Sequence, residues 1–251
     1  MTNLIKLTAE EVYDRLLNID KIKTAEGQIR FFLGNVDTIV RQKDVVGNII
    51  QEWLEGWLRK NGIAFDCNTN TQMPPDIFLN PEDHTKDLLE VKAFNRQASP
   101  GFDIADFKAY AREILTSPQM LHTKYLIFGY KMSNEGIVTI QDLWLKNVWE
   151  ICRAMDRWAL NVQYKNSVIH KIRPAVWYSN RGNYPIFQSL EHYLSAIEET
   201  LFDYPDTHAL AAGWRRKMSA AYERHFGTRL IIPRWEEIEN LYRPIATRRN
   251  L

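Results

Sequence analysis

The sequence predicts one α/β domain over residues 1–251, ending in a helical C-terminal part. A strong amphipathic helix pattern covers residues 44–61, and two short apolar strand patterns follow it. Two further strand patterns lie in the middle of the chain, and two helical patterns lie near its end. The length of 251 residues suits one domain of generous size.

The N-terminal third contains two helices and one short strand or turn. Thr8 and Glu11 have the spacing of a capping box, which predicts a helix start. An apolar run over 31–33, between two glycines, is a strand or turn candidate. The apolar residues of the helix over 44–61 recur at helical spacing: Ile49, Ile50, Trp53, Leu54, Trp57 and Leu58.

The remaining pattern alternates strands, turns and helices. Strands are predicted over 63–65, 76–79 and 88–94, and the last two form a hairpin through a turn at 80–83. Further strands or extended segments are expected over 125–130, 137–140 and 168–178. Further helices are expected over 103–115, 144–160, 190–202 and 214–225.

Composition excludes several classes of protein. The net charge of +1 excludes a polycation, but basic residues cluster locally, as in a protein that binds a polyanion in one cleft. A solvated helical surface is the alternative. Cys67 and Cys152 form no CxxC pair, which argues against a zinc ribbon or a disulfide scaffold. With no signal-peptide pattern and no apolar run of about 18 residues, we expect a cytoplasmic protein without a membrane span.

A charged pair lies inside an apolar strand pattern. Glu90 and Lys92 point to one face of the predicted strand, because side chains at i and i+2 share a face. If Asp76 pairs beside them, two carboxylates and the Val91 carbonyl can converge into a hard oxygen site, which suits Mg²⁺. A metal-bound water can attack a phosphodiester, and a lysine can orient or deprotonate that water. A salt-bridged exposed hairpin edge is the alternative.

The pattern Pro75-Asp76 followed by Glu90-Val91-Lys92 resembles the PD-(D/E)XK nuclease motif. The "AEGQI…LG" segment, the motif hairpin and the late "YSNRGNYPIF" loop resemble EcoRV-like type II restriction endonucleases. Two longer stretches, "VRQKDVVGNIIQEWLEGWL" and "LLEVKAFNRQASPGFDIADF", are similar to the NlaIV/NgoBV group. The resemblance implies a mixed sheet flanked by helices and recognition of GGNNCC. Glu90 departs from the aspartate of EcoRV, but the wider family permits either acid.

The family's first core helix often supplies a further Glu or Gln to the site. The candidates on the predicted helix are Asp44, Gln51, Glu52 and Glu55. We favour Gln51, because it lies at the margin of the apolar face, whereas Glu52 and Glu55 point nearly opposite that face. A solvated helix surface is the alternative for each of them.

Polar residues at three places are candidates for binding DNA. In the late loop, Asn180, Arg181 and Asn183 have side chains that read base edges, although an ordinary surface turn has the same composition. Three residues follow the catalytic strand and could touch phosphate or base: Asn95, Arg96 and Gln97. Candidate phosphate contacts, which position DNA without reading it, are Lys171, Arg173, Arg215, Arg216 and Lys217.

Three functions fit these observations. The first is a Mg²⁺-dependent type II restriction endonuclease, a homodimer on a short palindrome in double-stranded DNA, with a cognate methyltransferase protecting the host. Its catalytic residues would be Asp76, Glu90, Lys92 and Gln51, and its metal ligands Asp76, Glu90 and Val91. The second is a repair or junction-resolving nuclease with the same motif. The third is a non-catalytic DNA-binding module.

Overall fold

A computed structural model of the chain describes residues 4–70, 73–179 and 181–244. Their strands are β1 (Glu26–Gln28), β2 (Arg30–Leu33), β3 (Val36–Ile39), β4 (Asp66–Cys67), β5 (Ile77–Phe78), β6 (Leu88–Asn95), β7 (Ala105–Asp106), β8 (Lys124–Met132), β9 (Ile137–Asn147), β10 (Val162–Lys165) and β11 (Val168–Ile172). Their helices are α1 (Ala9–Asp14), α2 (Val46–Lys60), α3 (Phe107–Glu113), α4 (Leu190–Asp203), α5 (His208–Ala211), α6 (Trp214–Phe226) and α7 (Trp235–Ile238). The predicted α/β class is confirmed.

The chain divides into two compact units. The first combines the segment before Asp103 with Thr123–Lys146, and the second combines Asp103–His122 with the chain from Asn147 onward. The prediction of a single domain stays a prediction, because this division does not decide whether the units fold separately. No helix in the described ranges is both long and apolar enough to span a membrane.

The first unit is built on a six-stranded mixed sheet with the order β1-β9-β8-β6-β5-β4. β6 and β8 run parallel, whereas β5 pairs antiparallel with both β4 and β6. The buried side of α2 packs against this sheet through Val46, Ile50, Leu54, Trp57 and Leu58. Because those residues repeat every three or four positions, burial of this stripe holds the helix over the sheet.

The N-terminal helix begins as its sequence predicts. The Thr8 hydroxyl accepts a hydrogen bond from the Glu11 N–H at 3.2 Å, and the Thr8 N–H donates to the Glu11 carboxylate at 2.8 Å. This reciprocal pair satisfies two backbone donors that a helix start otherwise leaves free. Val12 and Leu16, further along the chain, are buried in the core of the first unit.

The second unit combines a small sheet with the C-terminal helices. Its sheet has the order β10-β11-β7, and both pairings are antiparallel. The Trp214 indole of α6 donates to the Ala111 carbonyl at the end of α3, at 2.8 Å. The Thr200 hydroxyl of α4 accepts the Leu160 N–H at 3.0 Å. The predicted helical C-terminal part is therefore confirmed.

Two helix predictions need correction. The segment 144–160 is not one helix, because β9 runs eleven residues to Asn147 and a 3-10 turn, Val148–Ile151, follows. The Glu150 carboxylate accepts from the Asn147 backbone N–H at 2.8 Å, which fixes this short turn. The helix over 103–115 is shorter than predicted, because Asp106 caps it by accepting the Ala109 N–H. Sheet pairing overrides local helical periodicity in both places.

Candidate active site

The β5–β6 hairpin brings the three predicted charged residues together. Asp76 lies just before β5, and its N–H donates to the Leu89 carbonyl at 3.1 Å. Its carboxylate Oδ2 accepts the Val91 N–H at 2.8 Å. The N–H and C=O of one strand residue point to the same side, so the Val91 carbonyl faces the side where the Asp76 carboxylate lies. This arrangement places two candidate oxygen ligands on one edge of β6.

Asn68 supports the loop that carries Asp76. Its side-chain amide donates to the Pro75 carbonyl at 2.8 Å and to the Met73 carbonyl at 3.3 Å. Its backbone N–H donates to the Asp76 carbonyl at 2.9 Å. Three hydrogen bonds from one residue therefore hold the backbone on both sides of the Pro75–Asp76 bond. Nothing in the motif pointed to Asn68, because its role depends on the pairing of β4 with β5.

Glu90 and Lys92 form a buried ion pair. The Lys92 Nζ lies 2.6 Å from the Glu90 Oε1, as expected for side chains at i and i+2 of one strand. Glu90 is only 3% exposed and the Lys92 side chain 21% exposed. This burial rules out the solvated hairpin edge, since exposed pairs of that kind remain in water.

Burial also raises the pKa values of the two acids. Desolvation raises the pKa of Glu90 to about 7, opposed by Lys92 and reinforced by the charge of Asp76. Desolvation also raises the pKa of Asp76. The charge of Lys92 and the hydrogen bond from the Val91 N–H offset only part of that rise. A buried acid and a half-buried acid, both with raised pKa values, favour an added positive charge at this place.

The donor set fits a hard divalent cation. The Glu90 Oε2 is buried and has no hydrogen-bond partner, which is a costly state for a carboxylate oxygen. Asp76, Glu90 and the Val91 carbonyl supply only oxygen donors, and Mg²⁺ typically takes one or two carboxylates and keeps several waters. In the described part of the chain, no group of three or more His, Cys, Asp or Glu residues could hold a metal ion. These oxygen donors fit a site in which water completes the coordination of a hard cation such as Mg²⁺.

The helix α2 carries two candidate residues for this site. Glu55 raises the pKa of Asp76 through its charge, and it also pairs with Arg59 at 2.9 Å. Gln51, one turn earlier, is half-buried. A Cβ on Gly47 would lie 3.8 Å from the Ala93 carbonyl, so this side of the helix faces β6. Gln51 stays a prediction, and Glu55 is the second candidate residue of this helix.

The buried stripe of α2 is narrower than the predicted apolar face. The predicted face included Ile49 and Trp53, but Trp53 is exposed and Ile49 only half-buried. The buried residues of the helix are Val46, Ile50, Leu54, Trp57 and Leu58.

Comparison with known proteins places this chain in a family. The family model of the NgoBV restriction endonuclease matches residues 6–242. The chain belongs to the NgoBV restriction endonuclease family. It is 61% identical to the type II restriction enzyme NlaIV of Neisseria lactamica over 241 residues, covering 96% of this chain and 99% of that protein. It is 62% identical to the type II restriction enzyme NgoBV of Neisseria gonorrhoeae over 164 residues, covering 65% of this chain and 93% of that protein.

A solved structure supports the same conclusion. The fold matches the NlaIV restriction endonuclease with a TM-score of 0.94 and 60% sequence identity. The match covers 97% of this chain and 99% of the other. The resemblance to the NlaIV/NgoBV group and the predicted restriction-endonuclease-like fold are thereby confirmed.

In this member of the NgoBV restriction endonuclease family, the three predicted DNA-binding residues at the end of β6 differ in how many protein contacts hold their side chains. The Arg96 Nε lies 2.5 Å from the Asp142 carboxylate, and the guanidinium lies 5.3 Å from the centre of the Trp144 ring. Those contacts give Arg96 a structural role. The Asn95 Oδ1 accepts the Gln97 N–H at 3.0 Å in a turn that leaves Gln97 exposed. DNA binding by these residues stays a prediction.

The predicted DNA-binding residues of the second unit have mixed surroundings. Lys171 lies 3.9 Å from the Asp106 carboxylate, and Arg173 is paired with Asp103. DNA phosphates would compete with these acids. Arg181 and Asn183 are exposed, as a loop that reads base edges requires. Asn180 lies outside the described residues.

Proposed function

We propose that this chain is a type II restriction endonuclease that hydrolyses phosphodiester bonds in double-stranded DNA with Mg²⁺. One observation carries the proposal. A buried Glu90 with an unpartnered oxygen is paired with Lys92 and is close enough to Asp76 for the charge of Asp76 to raise its pKa, in a chain 61% identical to a type II restriction enzyme. Lys92 compensates only one oxygen of Glu90, so a bound metal best explains why the second buried oxygen and the nearby Asp76 carboxylate are kept at this place in the fold.

The proposed metal ligands are Asp76, Glu90 and the Val91 carbonyl. When bound, Mg²⁺ supplies an acidified water and stabilises negative charge on the phosphate. Asp76 and Glu90 must both be ionised to act as ligands, and Val91 holds Asp76 in place through its N–H. Glu55 adds negative charge beside Asp76, and Gln51 is the second candidate from α2.

Lys92 is the residue that we propose acts on the attacking water. The Glu90 carboxylate holds its ammonium at 2.6 Å and thus sets the position of its donor hydrogens. As an ammonium Lys92 would orient the attacking water and offset charge on the phosphate, and only in its neutral amine form could it take up the proton that the water releases. Lysine suits these roles because its proton affinity responds to partial burial.

We further propose a short palindromic recognition site, with GGNNCC as the specific candidate, and binding as a homodimer. Two-fold symmetry in the protein then matches the symmetry of the DNA. The candidate base readers are Asn180, Arg181 and Asn183, and Arg181 is suited to guanine because it can bond both O6 and N7. Asn95, Arg96, Gln97, Lys171 and Arg173 are the candidates for further contacts. A cognate methyltransferase and a cytoplasmic location follow from this function.

The test is digestion of a plasmid carrying one GGNNCC site, with EDTA and Lys92→Ala as controls. We expect one discrete linear product that both controls abolish, and end-sequencing then gives the cut position. Discrete fragments at another sequence would keep the restriction enzyme and reject GGNNCC. A smear, or cleavage directed to junctions, would support a repair or junction-resolving nuclease instead. Intact plasmid with a range of divalent metals, together with DNA binding, would leave a binding module.

A further inference from the structure

The two ends of the late loop are tied to one segment of the second unit, residues 151–156. Before the loop, the Ala175 N–H donates to the Ile151 carbonyl at 2.7 Å. After it, the Phe187 N–H donates to the Cys152 carbonyl at 3.1 Å. Because the two accepting carbonyls belong to neighbouring residues, the chain leaves and returns at one place, and the residues between form a closed loop.

Core packing fixes the second of these anchors. Phe187 is 1% exposed, and its ring centre lies 4.9 Å from that of Tyr242 and 5.9 Å from that of Tyr193. The residue before it, Ile186, forms an isolated antiparallel bridge with Arg153. The chain that leaves the loop is therefore held by backbone pairing and by a buried aromatic cluster.

Tyr184 extends this attachment into the loop. Its hydroxyl donates a hydrogen bond to the Asp156 carboxylate, and the Arg153 guanidinium lies 5.0 Å from the centre of its ring. A phenol bonded to a carboxylate makes a charge-assisted hydrogen bond, and a guanidinium over a ring adds a cation–π contact. An acid and a base from the same short segment therefore hold the two chemically different parts of one side chain.

The polar residues just before Tyr184 remain in solvent. Arg181 and Asn183 are exposed, whereas Tyr184 is half-buried. A Cβ on Gly182 would lie 3.4 Å from the Val176 carbonyl oxygen and 3.7 Å from the Tyr184 carbonyl oxygen, so the backbone is folded closely at this position. Two exposed polar side chains are thus carried on a compact backbone that is anchored through Tyr184.

Reading a base edge requires geometric precision. A binding constellation must be held within about 0.5 Å of its productive geometry, and residues locked by neighbouring hydrogen bonds give that support. A loop that is fixed before it binds also loses less conformational entropy on binding. Asn183 and Tyr184 share one planar peptide bond, so an anchored Tyr184 restricts the directions in which the Asn183 side chain can project.

We propose that Tyr184 is a positioning residue for DNA recognition, held by Asp156 and Arg153 so that the side chains before it meet the base edges in one arrangement. The assignment rests on the proposed function, because it requires the loop to read DNA. Tyr184 acts through Arg181 and Asn183 and needs no contact with DNA. Its effect falls on discrimination between sequences, since phosphate contacts supply affinity that does not depend on sequence.

The test compares Tyr184→Phe with Tyr164→Phe in the full chain. Tyr164 is a matched control on β10, because its hydroxyl accepts a hydrogen bond from Arg157 at 3.3 Å and its ring centre lies 4.2 Å from that guanidinium. The measurement is kcat/KM with Mg²⁺ on a GGNNCC duplex and on a duplex with one outer base pair exchanged. We expect Tyr184→Phe to lower the first value about tenfold and the second less than about twofold. Tyr164→Phe should change both by less than about twofold.

Asp156 supplies an independent arm of the test. Asp156→Ala removes the acceptor and should lower discrimination about as much as Tyr184→Phe does. The double variant should lower it no further, because both substitutions break the same hydrogen bond. Affinity for an unrelated duplex in EDTA, measured by fluorescence anisotropy, should stay within about twofold of the wild type in all variants, since phosphate contacts dominate it.

Four results would overturn the proposal: unchanged discrimination in Tyr184→Phe, an equal loss in Tyr164→Phe, additive losses in the double variant, or a uniform loss on both duplexes, which would make Tyr184 only a structural residue. Circular dichroism spectra and melting curves show whether each variant folds, and if one of Tyr184→Phe and Asp156→Ala does not, the other is judged against the control. If the wild type cuts at another sequence, that sequence and its exchanged form replace the two duplexes. A wild type that cuts no duplex rejects the proposed function, and this assignment with it.

Discussion

Two hairpins of the first unit break the usual rule of burial in opposite directions. The β5–β6 hairpin buries charges, with Glu90 almost inaccessible and paired to Lys92. The β2–β3 hairpin exposes large apolar side chains, with Phe31 and Leu33 largely in solvent. Each arrangement costs free energy in an isolated chain, because the first desolvates ions and the second hydrates hydrocarbon.

The difference between the hairpins indicates what each one lacks. A buried carboxylate with a partnerless oxygen is stabilised by a small cation, which brings charge and accepts oxygen ligands. An exposed apolar face without charges is stabilised by another apolar surface. By our proposal, the β5–β6 hairpin therefore serves a metal. The charged half of this comparison can be tested directly.

The largest expected effect is on cleavage by Lys92→Ala. We expect a loss of about 10³-fold or more in the cleavage rate at saturating DNA and Mg²⁺, because the substitution removes the amino group that acts on the attacking water. Lys86→Ala is the matched control, since Lys86 lies on the same hairpin in an exposed pair with Asp83. Single-turnover cleavage of a duplex measures both. Comparable rates for the two variants would remove Lys92 from the chemistry and break the comparison.

A second effect concerns the support of Asp76. Asn68→Ala removes the side-chain amide that donates to the Pro75 and Met73 carbonyls, and we expect cleavage about tenfold slower through misplacement of Asp76. The apparent affinity for Mn²⁺, measured by calorimetry, should fall with it. Asn70→Ala, on the same loop, should change both by less than about twofold. A lower melting temperature with unchanged Mn²⁺ affinity would make Asn68 only a structural residue.

The pH dependence of stability tests the buried charge directly. The folded-state pKa of Glu90 is raised from 4.5 to about 7, so the stability that its protonated form contributes is present below pH 4.5 and is lost as the pH rises through about 7. The Glu90→Gln variant has no titrating group here, so it does not lose this stability as the pH rises. In EDTA, the difference in melting temperature between the variant and the wild type should therefore shift by a few °C in favour of the variant between about pH 5 and pH 8. A pH-independent difference would show that the pKa of Glu90 is not raised.

The smallest expected effect distinguishes the two helix candidates. Glu55→Gln removes a negative charge near Asp76, which lowers the pKa of Asp76 and weakens attraction for the metal. We expect cleavage to fall a few-fold at low Mg²⁺ and to recover at high Mg²⁺. Gln51→Ala should change the rate without this dependence on Mg²⁺. The reverse result would restore Gln51 as the metal-linked residue of α2.

Local sequence features predicted much of the fold and the centre of the site. The capping box at Thr8 predicted the start of α1, and the apolar repeat over 44–61 predicted α2. The spacing of Glu90 and Lys92 placed them on one strand face, because that relation needs only a period of two. Predictions failed where sheet pairing prevailed, as in 144–160, where β9 extends to Asn147.

The sequence by itself determined the family, the α/β class and the motif of Asp76, Glu90 and Lys92, since these depend on residue order and short periodicities. Only the tertiary structure decided that Glu90 is buried with an unpartnered oxygen and that Asn68 braces the Asp76 loop. It also decided which residues of β2 and β3 share an exposed face. The reason is physical: burial, hydrogen-bond partners and desolvation depend on segments distant in sequence, and no local pattern contains them.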